Sequence, residues 1–312
     1  MSFPAFVARR FALLALTLVL VPSLSFLAFT LIQGEHTAPL DVLGELGSYL
    51  AAVFLQGDLG SGSFRGETFI RTRSALDVVM DGFLVDCYLL GGAIALGVVI
   101  GLAAGTLQAT RPHGLAARAI GAANVIAISA PVYWLGLVAL LLLAPEIGSI
   151  AQVPFLSTVN GYRDPFDDPL GFVHGLWLPA LIVGTPLAAA CTRMCASQLL
   201  GTLEEDFVRT ARGKGVAPRR VVWRHALPPA AGPVVALVGV NMNVILTNLA
   251  LMETVFNIPG GFRYIERALV NRDVDLVQAL VVEATLFIVL ANFLADAIHA
   301  WLDPRVRTGE PV

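Results

Sequence analysis

Ionisable side chains are scarce in this 312-residue chain, and their spacing is the first clue to its chemistry. Asp77 and Asp81 are one helical turn apart. Asp86 falls on another face of the same run, and Glu253 and Glu283 lie at or within later apolar runs. A carboxylate in lipid is costly, so such groups face a cavity, a partner or the interface. Asp77 and Asp81 fit an interfacial position. Asp86 and Glu283 fit a water-filled path or a neighbouring subunit, where they would favour cationic substrate groups. No catalytic constellation accompanies them. The sequence has no phosphate-binding GxxxxGK[ST], no HExxH and no GxSxG. The five histidines are scattered. Cys191 and Cys195 are one turn apart, a spacing open to a soft metal but better suited to packing between helices.

The densest charge lies at 203–228, LEEDFVRTARGKGVAPRRVVWRHALP. Glu204, Glu205 and Asp206 precede Arg209, Arg212, Lys214, Arg219, Arg220 and Arg224, and Lys214 is the only lysine of the chain. Each such charge at a bilayer centre costs roughly 2.5–3.5 kcal/mol, so the stretch must leave the membrane. Leu203, Phe207 and Ala211 recur every four residues and are expected to share one helix face. Gly213 and Gly215 interrupt that pattern, and Pro218 is placed to open a second short helix. Two short amphipathic helices around a glycine bend form a docking element for a soluble partner.

The elements that must position these groups are apolar. Hydrophobic residues make up 56% and charged residues 14% of the chain, and mean hydropathy is +0.76, so it is an integral membrane protein. Its charge pattern offers no basic patch for nucleic acid. A spanning helix needs about 20 apolar residues. Six runs qualify: 11–32, read as a retained first span; 76 or 83 to 107; 119–143 with Pro131 inside; 176–200 with Pro179 and Pro186 inside; 229–256; and 276–302. Between them, 33–75 and 145–175 form polar loops, the first with a flexible GDLGSGS at 57–63. The positive-inside rule puts both termini, Arg9, Arg10, Arg111, Arg118, Arg193, the charged stretch, Arg305 and Arg307 in the cytoplasm, and both polar loops outside. Intramembrane prolines free carbonyls and bend helices, which fits ordinary packing and also a pathway lined by bent helices. Asp86, Pro131, Trp134, Glu253 and Glu283 are the residues assigned to such a path.

The charged stretch resembles the cytoplasmic loop of ABC importer permeases, whose pattern is EAA, three residues, Gly, nine residues, Ile, one residue, Leu-Pro. Ala211, Gly215 and Leu227-Pro228 fall on that spacing. Arg209, Thr210 and His225 depart from it, and DFVRTARGKG followed by RHAL looks like the dipeptide/oligopeptide/nickel branch. GDLGS at 57–61, SAPVYWLGL at 129–137, LMETVFNIPGGF at 251–262, NRDVDLVQAL at 271–280 and LDPRVR at 302–307 are similar to that branch in order and spacing. Where the branch is apolar early in the second span, this chain carries Asp77, Asp81 and Asp86.

The resemblance implies an all-α integral membrane protein of about six transmembrane helices, a single permease domain over 1–312 with the type I ABC importer fold. It implies a transport subunit in the bacterial inner membrane, not an enzyme, forming half of a path for di- or oligopeptides. Nickel, heme, glutathione or opine-like cargo are alternatives. The implied partners are a homologous second permease, two cytoplasmic ATPases that bind ATP and magnesium, and an external substrate-binding protein. The chain itself would hold no cofactor. The stretch 201–228 would be the coupling element, with Leu203, Phe207 and Ala211 in an ATPase groove and the arginines against acids on its rim. ATP-driven closure would then switch the permeases between inward-open and outward-open states. A secondary carrier, ion-coupled through Asp86 or Glu283, is the reading from another class, and it has no need of a docking loop.

Overall fold

The structure is a computed structural model that describes residues 3–33, 39–65, 70–143 and 162–302. Residues 145–161 of the loop expected at 145–175, and the basic tail with Arg305 and Arg307, lie outside the described residues, while α6 already begins within that loop at Pro169. Among the described residues, the regular structure is helical apart from one hairpin. In order it forms α1 Phe3–Gln33, α2 Pro39–Ala51, a π turn Ala52–Gln56, β1 Ser61–Arg65, β2 Ile70–Ser74, α3 Ala75–Thr110, α4 Leu115–Ser129 and α5 Val132–Leu143. Then follow α6 Pro169–Val183, α7 Thr185–Glu204, α8 Asp206–Gly213, α9 Pro218–Val221, a π turn Val222–Ala226, α10 Leu227–Val255, a 3-10 turn Phe262–Tyr264, α11 Ile265–Asn271 and α12 Val274–Leu302.

Among the described residues, four stretches are long and apolar enough to cross a membrane: Phe11–Ile32, Ala75–Thr110, Pro218–Val255 and Val274–Asp296. The third and fourth expected spans are not continuous. Leu115–Ser129 and Val132–Leu143 meet at 113°, and Pro169–Val183 and Thr185–Glu204 at 57°; counting each bent pair as one crossing gives six. The first break follows from Pro131. It forces the preceding Ala130 into extended backbone, φ −81° and ψ 132°, which ends α4. The second break is at Gly184, with Pro186 in the first turn of α7. There the Thr185 hydroxyl donates to the Ile182 carbonyl at 2.8 Å, replacing the N–H that Pro186 lacks.

Two compact units divide the chain. One comprises Tyr88–Asn257 with the end of α12 from Ala291, the other Pro4–Cys87 with Ile258–Leu290. In the first, Gly97, Gly101, Gly105 and Ala109 form a row of small residues along α3. Leu187, Cys191, Cys195 and Leu199 form the matching row on α7, all fully buried. A methyl placed on Gly97 would lie 3.0 Å from Leu187, and one on Gly105 would lie 2.7 Å from the Cys195 Cβ. Such contact replaces the hydrophobic drive that lipid cannot supply. The two cysteines turn to different helices: the Cys191 sulfur lies 4.0 Å from the Val234 carbonyl and Cys195 lies 3.6 Å from that of Leu102. They pack between helices.

In the second unit, Ala75, Val78 and Val79 of α3 pack with Ala268 of α11 and Leu276, Val277, Ala279 and Leu280 of α12. Phe83 stacks on Phe287 at 5.5 Å between ring centroids. The stretch expected as a polar loop over 33–75 carries α2 and an antiparallel hairpin, in which Ser61 pairs with Ser74 and Arg65 with Ile70. GDLGS is the turn that launches the hairpin. Gly57 and Gly60 supply φ of +67° and +83°, and Gly60 N–H donates to Asp58 Oδ1 at 2.9 Å.

A Gly105→Leu replacement should therefore lower stability by about 1–3 kcal/mol through overpacking. The thermal midpoint of the detergent-solubilised protein reads this, and an unchanged midpoint would show that α3 and α7 are not in such close contact.

Candidate functional site

The docking loop is built on a break that the spacing of its apolar residues conceals. α7 ends at Glu204, and Glu205 is extended, φ −66° and ψ 148°. Its carbonyl accepts from the N–H groups of Val208 and Arg209 at 3.1 Å and starts α8. Leu203 and Phe207 are thus on different helices and do not share a face. Leu203 and Ala211 do turn inward. Phe207, expected beside them, is 48% exposed, and its neighbour Val208 is fully buried. Glu204, Glu205 and Asp206 carried the missed signal, since an acidic cluster favours a helix N-terminus.

Val208 joins Ala109, Leu199, Val221, Ala226 and Ala230 in a small core, ringed by Leu203, Ala211, Val216 and Val222. Gly213 completes α8 and the bend is at Gly215, φ +78°. Gly215 N–H donates to the Arg212 carbonyl at 2.9 Å and Val216 N–H to that of Ala211 at 3.3 Å. These two bonds are a Schellman cap, with Val216 and Ala211 in the apolar contact that accompanies it. A glycine is needed at this position because an L-residue is strained there. Pro218 opens α9 as expected, the chain runs on through the Val222–Ala226 turn, and Pro228 lies in the first turn of α10 beside buried Leu227.

Charge is left outside. Arg209, Thr210, Arg212, Lys214, Arg219, Arg220 and Arg224 are all exposed, as are Glu205 and Asp206. Arg209 Nη1 and Asp206 Oδ1 are 3.5 Å apart across one helical turn, an exposed pair of little energetic weight. The loop presents six cations against three acids, an excess of three. It is a preformed cationic surface on an apolar anchor.

The residues assigned to a path belong to both units. Asp86 is fully buried and Glu283 is 3% exposed, so neither lies on an open surface here. They meet around the NIPGG segment. Gly261 N–H donates to Asp86 Oδ2 at 2.9 Å, and the Glu283 carboxyl lies against the same glycine. A methyl on Gly261 would lie 2.9 Å from Asp86 Oδ2 and 3.0 Å from Glu283 Oε2. One turn before Asp86, Gly82 lets this segment pack directly on α3, at 2.7 Å from the Gly260 carbonyl carbon for any added methyl. Asp86 thus holds a backbone segment in place. In the other unit, Glu253 is fully buried on α10, while Pro131 at the α4–α5 break and Trp134 on α5 are exposed. Asp77 and Asp81 are exposed in the first turns of α3, as an interfacial position requires.

Residues 97–308 match the family described as binding-protein-dependent transport system inner membrane component. The chain belongs to this family. It is therefore a multi-pass transport permease. Among similar proteins are the di/tripeptide transport system permease protein DppB of Pseudomonas aeruginosa, 29% identical over 97% of this chain and 98% of that one. The dipeptide transport system permease protein DppB of Haemophilus influenzae is 30% identical over 81% of this chain and 78% of its own length. The oligopeptide transport system permease protein AppB of Bacillus subtilis is 28% identical over 81% and 77%. The family match takes in the docking loop, both bent spans, and the Gly261 and Glu283 side of the buried acid cluster.

Gly261→Ala should destabilise this permease by about 1–3 kcal/mol, because its methyl strikes both carboxyls. Asp86→Asn, which keeps an oxygen acceptor for Gly261 N–H, should cost less than Asp86→Leu. Thermal unfolding of purified protein checks the ranking, and equal losses for Asn and Leu would remove the hydrogen bond from the account.

Proposed function

We propose that this permease imports di- or oligopeptides as one of two homologous membrane subunits, with energy from ATP hydrolysed on partner chains. The observation that carries the reading is the docking loop. A Schellman-capped helix sits on its own apolar core and offers a cationic, acid-poor face outside the spans. Such a face suits a soluble partner with acidic groups on its rim. Two cytoplasmic ATPase subunits, holding ATP and magnesium, are the partners proposed for the pair of permeases. An external binding protein would deliver the cargo. The positive-inside distribution supports an orientation with both termini and the loop in the cytoplasm. The peptide-transport names of the similar proteins support the cargo class; nickel and other small cargo of the same branch form the second reading. The coupling loop favours this reading over an ion-driven carrier, as does the enclosure of Asp86 and Glu283 around Gly261.

Affinity purification of the assembly tests the reading. Recovery of a second permease and ATPase chains is expected, with hydrolysis stimulated by binding protein plus peptide and not by binding protein plus nickel. Gly215→Val keeps the spans but puts a β-branched residue at φ +78°, which costs about 1–2 kcal/mol or more at the cap. Peptide uptake should fall at least about tenfold for a local loss of that size, with the permease still in the membrane. Normal uptake at normal expression would exclude the loop as the coupling element.

A further inference from the structure

The docking surface carries a second aromatic group that the amphipathic pattern does not mark. Trp223 is 59% exposed, more than Phe207. It lies in the Val222–Ala226 π turn, closed by Leu227 N–H to the Val222 carbonyl. The wider turn leaves Trp223 outward while Val221 and Ala226 stay buried in the core that also holds Val208. Phe207 and Trp223 are therefore each next in sequence to a residue tied into one apolar anchor. Neither is on a loose arm.

Lipid headgroups are the competing contact for this tryptophan. α10 has 29 residues, about 43 Å of helix at 1.5 Å per residue, which matches a bilayer of about 40–45 Å including its headgroups. Trp223 precedes α10 by four positions, with Arg219, Arg220 and Arg224 exposed around it. It thus stands near the end of the apolar stretch Pro218–Val255, at the level of the headgroups, with its exposed face open to a protein. Exposed tryptophan set among arginines is the composition of a binding hot spot. The charge is one-sided as well. All three acids of the loop are at 204–206, and 218–226 holds none, so a partner seated here needs acidic groups opposite α9.

We infer that Trp223 is a second anchor for the same ATPase subunit that engages α8, so that the contact has two apolar posts, Phe207 and Trp223, in a cationic field. This rests on the function proposed above and extends the interface from α8 to the start of α10. A single short helix fixes a position and leaves rotation about it open. Two posts on one core fix both, so a turn of the ATPase is passed to α10.

The test uses the complete importer in nanodiscs. Binding of the ATPase and its stimulation by binding protein plus peptide are measured for the unmodified permease, Phe207→Ala, Trp223→Ala and Trp223→Phe. Trp223→Ala should weaken ATPase binding about 10-fold or more, and Trp223→Phe should recover most of it. The thermal midpoint of the permease pair should not move, because the side chain is exposed. If Phe207→Ala weakens binding and Trp223→Ala does not, the second anchor is wrong and the docking loop stands. If the unmodified permease binds no ATPase, it is the proposed function that fails. A Trp223→Ala defect that is absent in detergent and present only with lipid would assign the residue to the membrane and overturn the inference.

Discussion

The docking loop hangs from the close approach of α3 and α7. Lipid offers helices no hydrophobic reason to associate, so contact must come from surfaces that fit. Gly97, Gly101 and Gly105 recur every four residues on α3 and remove the side chains that would hold α7 away. Leu187, Cys191, Cys195 and Leu199 fill that row at the same period. The last pair of the two rows, Ala109 and Leu199, belongs to the core that anchors Val208. The membrane packing and the loop packing are therefore one continuous row. Widening it at Gly105 would disturb the seat of α8 without touching a residue of the loop.

Backbone hydrogen bonding sets where the crossings bend. A helix in hydrocarbon must satisfy its own amides and carbonyls, and proline removes one donor wherever it stands. Pro186 is compensated by the Thr185 hydroxyl on the Ile182 carbonyl, so α6 and α7 turn by 57° and continue. Pro131 acts mainly through Ala130, whose extended backbone turns α5 by 113° from α4. α10 carries Pro233 within an unbroken helix, so proline alone does not decide a break.

Much of this was legible in the residues. Charge density located the loop, apolar run length counted the crossings, and Gly215 and Pro218 marked the bend and the second helix. Legibility failed where one local conformation resets a period. The four-residue spacing of Leu203, Phe207 and Ala211 assumes an unbroken helix; extended Glu205 breaks it, so Leu203 and Ala211 turn to the core around Val208 while Phe207 stays exposed. The prolines of the third and fourth spans were visible, but a bend angle depends on packing that no spacing encodes. The acids failed for a different reason. Asp86 and Glu283 are far apart in sequence, and only the fold brings both to the Gly261 backbone. Burial cost could say that each needs a partner. It could not say that the partner is a turn of the chain.

The loop core also explains how a push at the surface can reach the membrane. Ala109 ends α3, Leu199 and Leu203 end α7, and Ala226 and Ala230 flank the start of α10, all around Val208. Packed cores resist deformation and switch between discrete arrangements. A partner that displaces α8 cannot move Val208 alone without opening a cavity among three spans. Moving the three ends together keeps the core filled and is the cheaper response. Under the coupling role proposed above, the Schellman cap at Gly215 would hold the end of α8 at a set angle during that movement, so that force would enter as a rotation of a block. A short helix on a flexible tether would bind a partner equally well and transmit nothing.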